Sequence, residues 1–138
     1  MKKLTFLLAL VLLSGCVQER PWFYPANVSV KNNRVCISVP DDIAGKRELV
    51  GIGIYQPGAG GKAEWSTSVA PGQQPIAVMP GECLTEAFGG FQIGHSYSVE
   101  IATVGNALNE APRKYWAEFT VVADKADGKK LAVVPIQR

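Results

Sequence analysis

The sequence predicts an all-β domain: a single sandwich of about seven to eight short antiparallel strands. Three observations carry this expectation. No stretch after residue 25 sustains the 3.6-residue apolar period of a surface helix. Apolar and polar residues instead alternate in short runs, the period of a half-buried strand. Between those runs lie loops rich in Gly, Pro and Asn; the chain has 14 Gly and 9 Pro, enough to place turn chemistry at most junctions.

Taken in order, Val28 and Val30 alternate with polar neighbours, Asn32-Asn33 interrupts, and Val35, Ile37 and Val39 alternate with Cys36 and Ser38. Asparagine tolerates positive φ, so the run predicts a hairpin turning on the two asparagines. Pro40-Asp41-Asp42 ends it. Leu49 to Tyr55 reads as a third strand with Val50, Ile52 and Ile54 on one face and Gly51 and Gly53 on the other, where a neighbouring chain would approach closely. Pro57 to Gly61 is loop. Ala63 to Val69 forms a fourth strand with Trp65, Thr67 and Val69 on one face. Ile76 to Met79 is a short apolar run, and Phe88-Gly89-Gly90-Phe91 is irregular. Tyr97, Val99 and Ile101 line one face of a strand ending near Val104, and residues 105–112 form a loop. Tyr115, Ala117, Phe119 and Val121 line the next strand, with Trp116, Glu118, Thr120 and Val122 on its other face. Residues 130–136 close the domain.

Gly94-His95-Ser96-Tyr97-Ser98-Val99 resembles the start of strand F in fibronectin type III and related immunoglobulin-like domains. That resemblance implies a tyrosine at a corner whose hydroxyl bonds back to the backbone. The cysteines do not follow the antibody-type bridge, so the expectation is an immunoglobulin/fibronectin III-like sandwich without a subfamily.

The first residues read differently. Lys2 and Lys3 form a basic n-region, Leu4 to Leu13 an apolar h-region broken only by Thr5, and Ser14 and Gly15 precede Cys16. This order predicts a secretory signal peptide, too short for a spanning helix. Leu13-Ser14-Gly15-Cys16 resembles the lipobox of bacterial lipoproteins. The resemblance implies cleavage after Gly15, a diacylglycerol thioether on Cys16 and an N-acyl chain such as palmitate on the new terminus. Residues 1–15 are then signal peptide, 16–25 lipidated terminus and tether, and 26–138 the sandwich. Trp22, Phe23 and Tyr24, between Pro21 and Pro25, either sit at the membrane interface or pack on the domain as a clasp. Packing on the domain is the favoured expectation. Val17 stands where the familiar inner-membrane retention signal has Asp. The expected address is therefore the periplasmic side of the outer membrane, ahead of the inner membrane.

Removing residues 1–15 from 138 leaves 123, enough for one core. The precursor has 14 Lys and Arg against 12 Asp and Glu; without Lys2 and Lys3 the two signs balance. A neutral chain without a basic cluster offers nucleic acid no footprint. It also offers anionic lipid none, so the acyl chains on Cys16 would do the anchoring. With Cys16 acylated, Cys36 and Cys83 remain as a pair in an oxidising compartment. They are expected to form a disulfide closing 48 residues, worth about 4 kcal/mol in the chain-entropy model. The alternative is two separate buried thiols.

No reaction chemistry stands out. His95 is the only histidine, with no Gly-x-Ser-x-Gly elbow to serve, and is expected at a surface or corner. Two cysteines and one distant histidine do not make a zinc set. Asp41-Asp42 suits a turn. Gly58-Ala59-Gly60-Gly61-Lys62 lacks both the first glycine and the hydroxyl residue of a phosphate loop. The expectation is a protein that is not an enzyme and uses no cofactor or metal. Among the aromatics Trp65, Trp116, Tyr55 and Tyr115, Trp116 and then Trp65 are the candidates for a partner surface.

Val28-Ser29-Val30-Lys31-Asn32-Asn33 followed by Val35-Cys36-Ile37-Ser38-Val39-Pro40, with Glu82-Cys83-Leu84 and Pro112-Arg113-Lys114-Tyr115, resembles a family of type VI secretion immunity periplasmic lipoproteins. The resemblance implies an inhibitor that neutralises a periplasm-acting effector by direct binding, with its acylated Cys16 in membrane lipid. Two other classes remain open: a structural or assembly lipoprotein of an envelope or secretion machine, and a solute- or glycan-binding lipoprotein.

Overall fold

Asn32 and Asn33 both adopt positive φ, 52° and 57°. A two-residue turn with both central residues left-handed matches the twist of its flanking strands, and here it joins β2 (Asn27–Lys31) to β3 (Arg34–Ser38) in the expected hairpin. The computed structural model that shows this describes residues 23–41, 47–58, 60–70, 72–105 and 112–136. The expected signal peptide, Cys16, Trp22, Asp42 and most of the 105–112 loop lie outside the described residues.

The other strands are β1 (Phe23–Pro25), β4 (Arg47–Tyr55), β5 (Ala63–Ser68), β6 (Ala77–Val78), β7 (Ser96–Gly105), β8 (Arg113–Ala123) and β9 (Leu131–Pro135). They form one sheet in the order β1-β8-β7-β4-β5, with β9 beside β1 on the free edge of β8 and β6 beside β5 on that of β4. Among the described residues there is no helix. The fold is the expected all-β sandwich, with the β2–β3 hairpin packed on one face of the large sheet. Every pairing is antiparallel except β1 with β8, which is parallel. The chain leaves β8 through Ala26, whose amide donates to the Trp116 carbonyl at 2.8 Å, and enters the hairpin of the other layer at Asn27. Phe23 and Tyr24, the end of the expected tether, thus lie in the domain's sheet.

Period-2 alternation fills the core in rows. Trp65, Ile54, Val99 and Ala117 form one row across β5, β4, β7 and β8; Ile52, Ile101, Tyr115 and Tyr24 form the next. Val35, Ile37 and Val39 cover these rows from the hairpin side. Each fully buried aliphatic side chain of this kind contributes about 1.5–3 kcal/mol. The opposite face of β3 is buried as well, Cys36 and Ser38 included. A segment running along the free edge of β3 accounts for it: the Leu84 amide donates to the Ile37 carbonyl at 2.9 Å and Gly81 to Val39 at 3.2 Å. The Cys36–Cys83 disulfide, with Cα atoms 4.9 Å apart, fastens that segment.

One strand face differs from expectation. Val50 is exposed, while Leu49, Ile52 and Ile54 are buried. The register of β4 against β7 skips from Leu49 to Gly51, so Val50 is the extra residue of a bulge. Before the bulge the inward positions are Arg47 and Leu49; after it they are Ile52 and Ile54. The glycines are explained by what stands over them. A Cβ on Gly51 would meet the Thr67 carbonyl of β5 at 3.0 Å, and one on Gly53 would meet the Tyr55 hydroxyl at 2.6 Å and its ring at 2.8 Å.

Candidate binding face

The alternation of β8 sends Tyr115, Ala117, Phe119 and Val121 into the core and leaves Trp116, 43% exposed, on the outward face of the large sheet. Register supplies its neighbours. Glu100 of β7 is the direct cross-strand partner of Trp116, and Ser98 is the partner of Glu118. On the other side of β8, Pro25 lies beside Trp116 and Phe23 beside Lys114. Trp116, Phe23, Ser98, Glu100 and Glu118 line an open trough of about 450 Å³. Lys114 touches two of these residues: its Nζ lies 3.1 Å from the Glu100 carboxylate and 5.8 Å from the centre of the Phe23 ring. Both members of that ion pair are solvated, so it holds the trough's shape only weakly.

The floor continues into β4, where Gly53 lies opposite Glu100 and Gly51 opposite Ala102. The side chains at Ser98 and Ala102 are small, and Tyr55, the cross-strand partner of Ser98, lays its side chain over Gly53 on the far side of Glu100 from Trp116. An exposed indole beside a partly polar trough is the anatomy of a contact surface: a large amphipathic ring for desolvation, with carboxylates and a hydroxyl to set orientation.

The expected site residues do not converge. Trp65 is half-buried on the inward side, its ring 6.2 Å from Phe88, and shares no surface with Trp116. Tyr115 is buried against Tyr24, ring centres 5.8 Å apart, and is a core residue. Tyr55 lies on the outward face over Gly53. His95 sits exposed at the corner before β7, its Nδ1 3.3 Å from Gln56 Oε1. Among the described residues no group of three or more His, Cys, Asp or Glu side chains is placed to hold a metal ion.

Sequence reasoning found Trp116 and Glu118 because they share one strand face. It missed Glu100, Ser98 and Phe23, which reach the trough only through strand register. It also missed Arg47, 2% exposed, whose Nε donates to Thr103 Oγ1 at 2.8 Å while that hydroxyl donates to the Arg113 carbonyl at 3.2 Å. The only sequence signal for Arg47 was its odd-numbered phase with Leu49, hidden by the bulge.

Residues 23–124, well over half the chain, match the family model described as a domain of unknown function, DUF7480. No curated protein and no solved structure matches the chain. The matched stretch runs from β1 through the last residues of β8 and takes in the disulfide and Trp116, so the chain belongs to the DUF7480 family.

Proposed function

We propose that this protein is a periplasm-facing lipoprotein, held in the outer membrane by an acylated Cys16, that neutralises a periplasm-acting type VI secretion effector by direct binding. The observation that carries the binding half is Trp116: a large ring half in solvent on the outward face of the large sheet, on a scaffold cross-linked by Cys36–Cys83. A binding protein needs a rigid surface and an address, and no reacting group. Leu13-Ser14-Gly15-Cys16 supplies the address, and the resemblance to immunity lipoproteins supplies the kind of partner.

The test expresses the adjacent reading frame in the periplasm, with and without this protein. Survival only in its presence supports the reading; equal killing in both removes it. A Cys16→Ser variant should move from the membrane to the soluble periplasmic fraction. Mass spectrometry of the native protein should find the diacylglyceryl and acyl additions on residue 16.

A further inference from the structure

We infer that the outward face of the large sheet receives a basic side chain of the partner protein, an arginine or lysine held between the Trp116 indole and the carboxylates of Glu100 and Glu118. This rests on the binding reading above and adds the partner's chemistry. Charge is unevenly spread on a mature chain whose formal charges balance. The outward side chains of β4, β7 and β8 include Glu48, Glu100 and Glu118 and one lysine, Lys114, among the described residues. The basic residues Lys31 and Arg34 flank the hairpin turn in the other layer. Among the described residues, the face around the exposed tryptophan therefore carries more carboxylates than cations.

Two features point to a cation rather than to apolar contact alone. Trp116 lies directly across from Glu100 and two residues before Glu118, so an exposed indole face and two carboxylates border one trough. An aromatic face attracts a guanidinium or ammonium through its quadrupole, most strongly for Trp, and the carboxylates pair with the same group. Lys114 already shows the mode from within, bridging Glu100 and the Phe23 ring. An acidic face also steers a basic partner at long range.

The probe is acetylated, amidated triarginine, titrated into the full mature protein while the Trp116 indole N–H resonance is followed by NMR. The expected result is a saturable shift of that resonance, weakened at least about fivefold between about 50 and 500 mM salt as charges are screened. Glu100→Gln with Glu118→Gln, and separately Trp116→Ala, should abolish saturation, while Glu82→Gln, off the large sheet, should not. Circular dichroism and the thermal midpoint check that each variant is folded. No shift with triarginine overturns the inference. A shift with chitotriose instead assigns the face to glycan, and a shift on protein concentration alone assigns it to a second copy; either also overturns it. The two proposals fail separately. If triarginine binds at Trp116 but the adjacent effector still kills, the immunity reading is lost and the cation site stands. If protection is full and the Trp116 and glutamate variants protect as well, the site is lost and the immunity reading stands.

Discussion

The Tyr97 hydroxyl donates to the Gly90 carbonyl at 3.2 Å and accepts the Gln92 amide at 2.8 Å, so one side chain satisfies a carbonyl and an amide of the segment that precedes β7. Tyr97 itself is fully buried, with the Phe91 ring edge-on at 4.9 Å and Phe119 at 6.0 Å. The tyrosine corner expected from Gly94 to Val99 is thus realised. Its hydroxyl also fixes the Phe88 to Phe91 segment over the end of the core.

Tyr97→Phe keeps the ring and removes only the hydroxyl. The Gln92 amide and Gly90 carbonyl then lose a partner in a part-buried position, which costs about 1–3 kcal/mol. Urea unfolding should show a lower midpoint at unchanged slope. A midpoint equal to wild type would mean that water replaces the hydroxyl and the corner adds no stability.

The disulfide fastens the segment around residues 81–84 to the edge of β3, so its loss acts on two levels. Closing a separation of 47 residues restricts the unfolded chain by about 4 kcal/mol. Cys36→Ala with Cys83→Ala should lose a comparable amount, and amide exchange at Leu84 and Gly81, whose bonds to β3 depend on that segment, should accelerate more than exchange in β7. Uniform acceleration across the protein would show that the bridge acts through the unfolded state alone.

The hairpin turn separates backbone conformation from side-chain bonding. Asn32 and Asn33 share positive φ, but Asn33 Oδ1 also accepts the Leu131 amide at 2.7 Å, tying the turn to β9 across the layers. Asn32→Gly should therefore be neutral or slightly stabilising. Asn33→Gly keeps the turn and loses the bond, a cost of about 1 kcal/mol. Equal effects at the two positions, measured by thermal or urea unfolding, would remove the role assigned to Leu131.

How far the sequence could be read depended on how local each signal was. The hairpin needed only two asparagines between alternating runs, and the faces of β8 needed only period 2, so both were legible. The tyrosine corner sat within six consecutive residues. The disulfide followed from cysteine number once Cys16 was set aside. Val50 was placed on the wrong face because alternation assumes one residue per partner, and a bulge breaks that count without any mark in composition. Arg47 was missed for the same reason. The trough around Trp116 was half legible: Glu118 shares its strand, but Glu100 and Phe23 arrive through pairings between distant segments, one of them parallel. Which neighbour stands beside an exposed ring is a property of register, and no single strand encodes it.

Lys114 gives a last separation between fold and binding. Its ion pair with Glu100 is exposed at both ends, 46% and 35%, so its contribution to stability is small. Lys114→Ala should shift the unfolding free energy by no more than about 0.5 kcal/mol. The same change frees the Glu100 carboxylate and removes the lysine of an otherwise acidic face, so triarginine should bind more tightly and with a steeper salt dependence. Glu100→Lys should do the reverse, weakening binding while leaving the fold in place. If Lys114→Ala binds triarginine no better than wild type while Glu100→Lys binds it no worse, charge on this face does not select the partner, and Trp116 would have to act by shape alone.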